Sequence, residues 1–265
     1  LGRELQFIFR GATVRDRIEI ARMLLRLHTR IGRLRRVTAR LTQPSEREFD
    51  LQLRDGPSLR LRSDDVVAVH IFAIGEYEVD LRPLGEVTSL LDLGANVGLA
   101  SIALAHRLGS VRTVACIEPA PDSFRLLEIN LRRNLKAAVA YRAAVVAEPG
   151  DYRLDAGPYP GENRVLPQSL TNGDQVSTLT VAEALDRTGL ESVDLMKIDI
   201  EGGEKAVFEA AADWAPRVKA ILGEVHPPLT REAALDELRS FGFEPLPIPA
   251  RPVLEDIILA RRSGD

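Results

Sequence analysis

The stretch LLDLGANVGLASIAL, residues Leu90 to Leu104, decides the fold. Leu90, Leu91 and Leu93 make a short apolar run suited to a parallel strand buried on both faces. Val97, Ile102 and Ala105 can line one face of the helix that follows. The turn between them has Asp92 at its entry, glycines at 94 and 98, and Asn96 between the glycines. A glycine carries no side chain to hold another group away from the backbone, so Gly94 and Gly98 are expected to let a second molecule approach closely.

The same alternation extends towards the C-terminus. Apolar runs at residues 111–117, 139–146, 193–198, 220–222 and 257–260 alternate with helical patterns at about 97–108, 121–135, 203–212 and 230–240. This order describes an α/β fold with a doubly wound sheet, whose chemistry lies in the loops at the carboxyl ends of the strands. Towards the N-terminus the character changes. Residues 48–53, 58–61 and 70–74 read as small strands or irregular structure, and Pro83 and Gly85 mark a linker or cap before the first long strand. Between positions 14 and 34, Val14, Ile18, Ala21, Leu25, Leu27, Ile31 and Leu34 recur at helical spacing while the arginines fall largely elsewhere, which describes an amphipathic basic helix.

Composition bounds the function. A chain of 265 residues with 45% hydrophobic content can bury a real core. A single cysteine, Cys116, offers no disulfide framework and points to a reducing compartment. With no run of eighteen apolar residues and no apolar leader, the expectation is a soluble, cytoplasmic protein without membrane contact. The formal charge of −4 is uneven: residues 1–40 hold 11 arginines against 3 acids, and the remainder holds 24 basic residues against 36 acidic ones. The basic helix is expected to pack against the acidic domain or against a second copy in a homo-oligomer, with nucleic-acid or membrane-surface contact as the competing reading.

Two loops carry the cofactor signal. The first is the turn from Asp92 to Gly98. The second is Ile117-Glu118-Pro119, in which Glu118 lies 24 residues after Gly94 at the end of the next strand. An acid at that place can accept two hydrogen bonds from a ribose diol. A dinucleotide fingerprint would place glycines where Asn96 and Leu99 stand, and the first of these exists to admit a pyrophosphate. A cofactor with one nucleoside and no pyrophosphate is therefore favoured, namely S-adenosylmethionine over NAD.

Four motifs in order resemble the FkbM family of S-adenosylmethionine-dependent methyltransferases. They are Leu93-Gly94-Ala95-Asn96-Val97-Gly98; Glu118-Pro119-Ala120-Pro121 with Asn130 and Asn134 beyond it; Asp194-Leu195-Met196-Lys197-Ile198-Asp199-Ile200-Glu201-Gly202-Gly203-Glu204; and Glu224-Val225-His226. The resemblance covers about residues 65–260. It implies the seven-stranded class I methyltransferase sheet, Rossmann-like with helices on both faces, in a domain over 65–265; residues 1–64 lie outside it and read, from their own patterning, as a helical and small-strand appendage. It also implies Asp92, Gly94, Asn96 and Gly98 around the methionine and ribose of the cofactor, Glu118 on the ribose hydroxyls, and methylation of hydroxyl groups on secondary metabolites or sugars. For the adenine, Glu148 is the available guess.

A polar set in the second half is expected to carry the reaction. Asp199 ends a strand, Glu201 follows in the loop, Glu204 opens the next helix, Glu224 ends the adjacent strand and His226 stands two residues on. Neighbouring parallel strands put their carboxyl ends side by side, so these residues can converge on one crevice. Asp199, Glu201, Glu224 and His226 are expected to serve as general bases for a hydroxyl or as ligands of a divalent metal, with the metal-free arrangement preferred. Glu204 is expected to act structurally, on backbone N–H groups. The stretch 148–178 has no long apolar period and reads as a lid, with Tyr152, Tyr159 and Arg164 touching a small-molecule acceptor. Trp214 is expected to pack. Two other functions compete: a nucleotide-binding partner module, and a nucleic-acid methyltransferase, which the acidic domain disfavours.

Overall fold

The computed structural model describes residues 2–30, 48–54, 56–63, 65, 67–155, 157 and 163–264. Ile31 and Leu34 of the basic helix, and the acceptor contact Tyr159, lie outside the described residues. In chain order the elements begin with helices α1 (Gly2–Arg10) and α2 (Val14–Arg30), then strands β1 (Glu48–Gln52) and β2 (Ser58–Arg62). A short helix α3 (Val67–Val69) continues into a π-helical turn, His70–Ile74. The α/β part follows as β3 (Ser89–Leu93), α4 (Leu99–Leu108), β4 (Thr113–Ile117), α5 (Pro121–Asn134), β5 (Ala138–Tyr141) and β6 (Ala144–Val145). Next come β7 (Tyr152–Asp155), β8 (Arg164–Pro167), β9 (Asp174–Val176), β10 (Thr178–Leu179), α6 (Val181–Thr188), β11 (Leu195–Ile198) and α7 (Glu204–Glu209). The chain closes with β12 (Ala220–Glu224), α8 (Arg231–Ser240), β13 (Phe243–Pro245) and β14 (Ile257–Arg262).

Seven strands form one sheet in the order β13-β14-β12-β11-β3-β4-β5. β5, β4, β3, β11 and β12 run parallel, and β14 is antiparallel to both of its neighbours. The chain builds outward from β3 to β5, then returns to build the other half from β11, so a crevice opens at the carboxyl ends of β3 and β11. This is the class I methyltransferase sheet.

Side-chain alternation along the strands divides the core into two layers. Leu90, Leu195, Leu222 and Leu259 pack with Ile102 of α4 and Leu127 of α5. Leu91, Met196, Ile221 and Ile258 face the other way, onto Leu185 of α6, Phe208 of α7 and Leu238 of α8. Trp214 is buried in that second layer, with its indole N–H donated to the Val207 carbonyl at 3.1 Å. No helix among the described residues is long and apolar enough to cross a membrane.

The N-terminal segment joins the first layer, since Phe7, Ile20, Met23 and Leu24 are buried in the same core as Leu90. The basic helix turns a different face inward from the one its spacing suggests: Val14 and Ile18 are exposed, at 71% and 46%. The reason is local. The Asp16 carboxylate accepts the Thr13 N–H at 2.9 Å and the Gln52 N–H of β1 at 3.2 Å, which rotates the side carrying Asp16 and Ile20 towards the protein. The hairpin β1–β2 is held from outside by two asparagines of α5. Asn134 exchanges two hydrogen bonds with the backbone of Ser58, and Asn130 does the same with Arg60. These amides stand where a further strand would pair, which covers the edge.

Three expectations need correction. Residues 70–74 form a π-helical turn, neither a small strand nor irregular structure, because the apolar run from Val67 has no alternation and Gly75 ends it in the left-handed conformation. The run 139–146 is broken into β5 in the main sheet and β6, which pairs with β10. The stretch 148–178 holds a three-stranded antiparallel sheet, β8-β7-β9, rather than an unstructured lid.

Candidate active site

A cavity of about 410 Å³ lies across the carboxyl ends of β3, β4, β11 and β12. Its floor at the β3–β4 end is the glycine turn. The Gly94 and Ala95 N–H groups both reach the Ile117 carbonyl at 3.0 Å, which ties the turn to β4. Gly94, Asn96 and Gly98 have φ of 78°, 49° and 86°, so this part of the backbone is left-handed at alternate residues. The glycines are needed for reasons inside the chain. A Cβ at Gly94 would lie 1.7 Å from the Asp199 carbonyl oxygen, and one at Gly98 would lie 2.7 Å from Leu127. The space expected for a ligand at these two side-chain positions is thus filled by β11 and α5, and the cavity meets Gly94 through its backbone.

Glu118 sits beside this turn, almost wholly buried. One carboxylate oxygen accepts the Asn96 N–H and the other accepts the Ala120 N–H, each at 2.8 Å. Burial pushes its pKa up to about 7, against the lowering effect of those two N–H groups. Each oxygen keeps a second lone pair, and the side chain lines the cavity. The Asn96 Oδ1 is buried with no hydrogen-bond partner among the described residues, and Asn96 is among the residues that line the cavity.

Asp92 lies beneath the turn, fully buried, and does not line the cavity, so it is not placed to touch a ligand there. It accepts the Ser101 hydroxyl at 2.5 Å and faces Lys197 Nζ at 3.2 Å. Lys197, pointing down from the centre of β11, also donates to the Gly94 carbonyl at 3.1 Å and to Asp199 Oδ2 at 3.4 Å. Burial opposes its charge, but Asp92 and Asp199 outweigh burial and hold the ammonium above its ordinary range. Asp92 and Lys197 therefore support the turn from behind.

At the β11–β12 end the acids and the imidazole converge as the motif order suggests. Asp199 Oδ2 accepts the Tyr77 hydroxyl at 3.1 Å. Burial first, then the Asp199 charge, raises the Tyr77 phenol well above its ordinary pKa, so it remains a donor. His226 Nδ1 meets the buried Glu204 carboxylate at 3.0 Å, while its Nε2 stands 3.6 Å from Glu201 and 3.9 Å from Asp199. Glu204 also accepts the N–H groups of Ile200 and Gly202, so it shapes the loop that carries Glu201, which has a φ of 56°. Burial disfavours the His226 proton, but Glu204, Asp199 and Glu201 together raise its pKa. Glu224 lines the cavity with no hydrogen bond or ion pair among the described residues, and burial followed by Asp199 and Glu76 raises its pKa. The donor atoms of Asp199, Glu224 and His226 all lie within 4.8 Å of one another and could hold a metal ion.

Other expected contacts fare unevenly. Glu148 is exposed and away from the cavity, whose wall beside Glu118 is instead Ala143, Ala144 and Val145. Tyr152 is half-buried in β7 and does not line the cavity; its neighbour strand β8 contributes Val165. Arg164 is exposed, with its guanidinium close to Gly202 at the mouth. Sequence reasoning missed His70, Glu76 and Tyr77, which reach the site from the segment that precedes β3 in the chain. The polar pair Glu76-Tyr77 after Gly75, following an apolar run, was the available signal.

Residues 92–245 match the methyltransferase FkbM domain. The chain is 30% identical over 227 residues to the 31-O-demethyl-FK506 methyltransferase FkbM of Streptomyces tacrolimicus, covering 70% of this chain and 84% of that one. It is 23% identical over 137 residues to the hexuronic acid methyltransferase AglP of Haloferax volcanii, covering 52% of this chain and 55% of that one. Among solved structures, methyltransferase FkbM from Methylobacillus flagellatus KT aligns at 15% identity with a TM-score of 0.44, over 66% of this chain and 44% of that one. The family match takes in the glycine turn, Glu118 and the whole acid–imidazole set, and with the Streptomyces relative it shows that this chain belongs to the FkbM methyltransferase family.

Proposed function

We propose that the cavity binds S-adenosylmethionine at its β3–β4 end and that the chain methylates a hydroxyl group of a small-molecule acceptor held at its β11–β12 end. The observation that carries this reading is Glu118, a buried carboxylate fixed by two backbone N–H groups with one lone pair left on each oxygen. A ribose diol supplies two donors for such a pair. Asn96 Oδ1, buried without a partner among the described residues, fits a further donor from the same ligand. The Asn96 side chain also stands where a dinucleotide site needs glycine, which argues against NAD.

When bound, S-adenosylmethionine supplies an electrophilic methyl group on a sulfonium. The residues of this chain have three tasks around it. Glu118 and the Asn96 turn orient the nucleoside. Lys197 and Tyr77 fix Asp199 at the boundary between the two ends of the cavity. Asp199, Glu201, Glu224 and His226 surround the place for a hydroxyl, hold it for in-line attack and offer acceptors for its proton. The choice of oxygen as the methylated atom draws on the Streptomyces relative, whose name specifies an O-methyl group. A small acceptor, and not a nucleic acid, is supported by the acidic lining, since Glu76, Glu201 and Glu224 would repel phosphates.

Titration calorimetry with S-adenosylhomocysteine and with NAD tests the reading. Micromolar binding of the first and none of the second is expected, and the reverse pattern overturns it.

A further inference from the structure

We propose that Asp199, Glu224 and His226 form a binding site for one divalent cation of the Mg²⁺ or Mn²⁺ class at the β11–β12 end of the cavity. The cation's use in catalysis rests on the methyl-transfer reading; its binding does not. Register brings two of the ligands together, because Ile198 of β11 pairs with Gly223 of β12 and the next residue on each strand is Asp199 and Glu224. His226 follows two residues later. Their donor atoms lie within 4.8 Å of one another in a cavity open to small molecules.

Groups outside the three ligands prepare each of them. Tyr77 and Lys197 both occupy Asp199 Oδ2, which leaves Oδ1 turned towards the imidazole. Glu204 accepts two backbone N–H groups and meets His226 Nδ1, so Nδ1 is the nitrogen that donates to Glu204 and Nε2 is the one left facing the cavity, where an ion would displace its proton. A carboxylate behind one nitrogen of a histidine is the arrangement that orients metal-bound imidazoles. Glu224 has no hydrogen bond or ion pair among the described residues, although it is half-buried between other acids.

Distances separate an ion site from a hydrogen-bonded one. His226 Nε2 and Asp199 Oδ1 are 3.9 Å apart, too far for a hydrogen bond. Two donors sharing an ion at about 2.1 Å stand roughly 3 Å apart when adjacent and roughly 4.2 Å apart when opposite. The His226–Asp199 separation lies between those values, and the wider 4.8 Å limit on the set requires the side chains to draw in slightly on the ion. A mixed set of two carboxylates and one imidazole, with positions left for water or an alcohol, suits Mg²⁺ or Mn²⁺. A hydroxyl bound to the ion would lose its proton more readily, and Glu201, 3.6 Å from Nε2, is the adjacent carboxylate that could take it.

The test is a Mn²⁺ titration of the full chain, followed by electron paramagnetic resonance in chelator-treated buffer without cofactor. One Mn²⁺ per chain is expected with a dissociation constant below about 100 µM, weakened at least tenfold in Asp199→Asn and in Glu224→Gln. Both substitutions keep side-chain shape, and a thermal melt of each establishes that it is folded. If either fails to fold, His226→Gln replaces it under the same criterion. No binding up to 1 mM Mn²⁺, or binding that the variants leave unchanged, overturns the site. Calorimetry with S-adenosylhomocysteine on the same protein keeps the two readings apart. Nucleoside binding without Mn²⁺ binding removes the cation site alone, and Mn²⁺ binding without nucleoside binding removes the cofactor assignment alone.

Discussion

At the β3–β4 end of the cavity each acid has its partners inside the chain, whereas at the β11–β12 end Glu224 has none and His226 is anchored through one nitrogen only. The first end is a finished surface, in which Glu118 and Asp92 hold the turn in shape before any ligand arrives. The second gathers five acids, Glu76, Asp199, Glu201, Glu204 and Glu224, around two cations, Lys197 and His226, and leaves Glu224 without an ion pair among the described residues. Uncompensated charge in a half-buried place raises the free energy of the folded chain, and sites of reaction are where such charge is concentrated. The difference teaches that one end is pre-shaped by bonds between side chains and backbone, while the other holds side chains whose polar groups are left open to a ligand.

The contrast breaks most sharply at Lys197. Lys197→Met removes a buried cation from between Asp92 and Asp199, and unfolding in urea is expected to show a loss of about 3–5 kcal/mol. A loss below about 1 kcal/mol would mean that the first end is not held by its internal charges. Next in size is Glu118→Ala, which should weaken S-adenosylhomocysteine binding by about 1–3 kcal/mol through loss of charge-assisted hydrogen bonds. Burial sets the Glu118 pKa at about 7, so its charged, hydrogen-bond-accepting form is lost as the pH falls through neutrality. The unaltered protein should therefore bind roughly tenfold more weakly at pH 6 than at pH 8, and calorimetry on the variant should show no such slope.

The smallest effect, and the most informative in sign, is that of Glu224→Gln. The pKa of Glu224 is raised in the folded state, so this group stabilises the fold below the ordinary glutamate range and loses that contribution as the pH rises towards about 8. In chelator at pH 9 the variant should be more stable than the parent by about 1–2 kcal/mol, and at pH 5 nearly equal to it. Destabilisation at pH 9 would place a partner on Glu224 and erase the contrast between the two ends.

Much of this is legible along the chain. Strand, glycine turn and helix are contiguous, so β3, Glu118 at the end of β4, and the pair Asp199 and Glu224 follow from period and spacing alone. Contacts between segments far apart in sequence are less accessible. Nothing near Asp92 shows that Lys197, 105 positions later, will draw it under the turn, or that Tyr77 will reach Asp199 from the N-terminal side. β13 is only three residues long, Phe243–Pro245, too short for a period to be seen. α6 was findable: Thr180 and Glu183 form a capping box at its start, a local signal that the apolar count over 178–190 does not reveal. The face of α2 could not be read from spacing because Asp16, polar and buried, counts against its own side of the helix.

Asn130 joins three segments through one amide: its Nδ2 donates to the Val97 carbonyl at 2.8 Å and to the Arg60 carbonyl, while its Oδ1 accepts the Arg60 N–H. Val97 belongs to the glycine turn, Arg60 to the hairpin and Asn130 to α5. If the hairpin swings away, it frees two of the three hydrogen bonds that orient the amide holding the carbonyl before Gly98. In the language of local unfolding, the shared amide couples the hairpin to the glycine turn, and slow exchange of the Arg60 amide proton is the expected sign of that coupling.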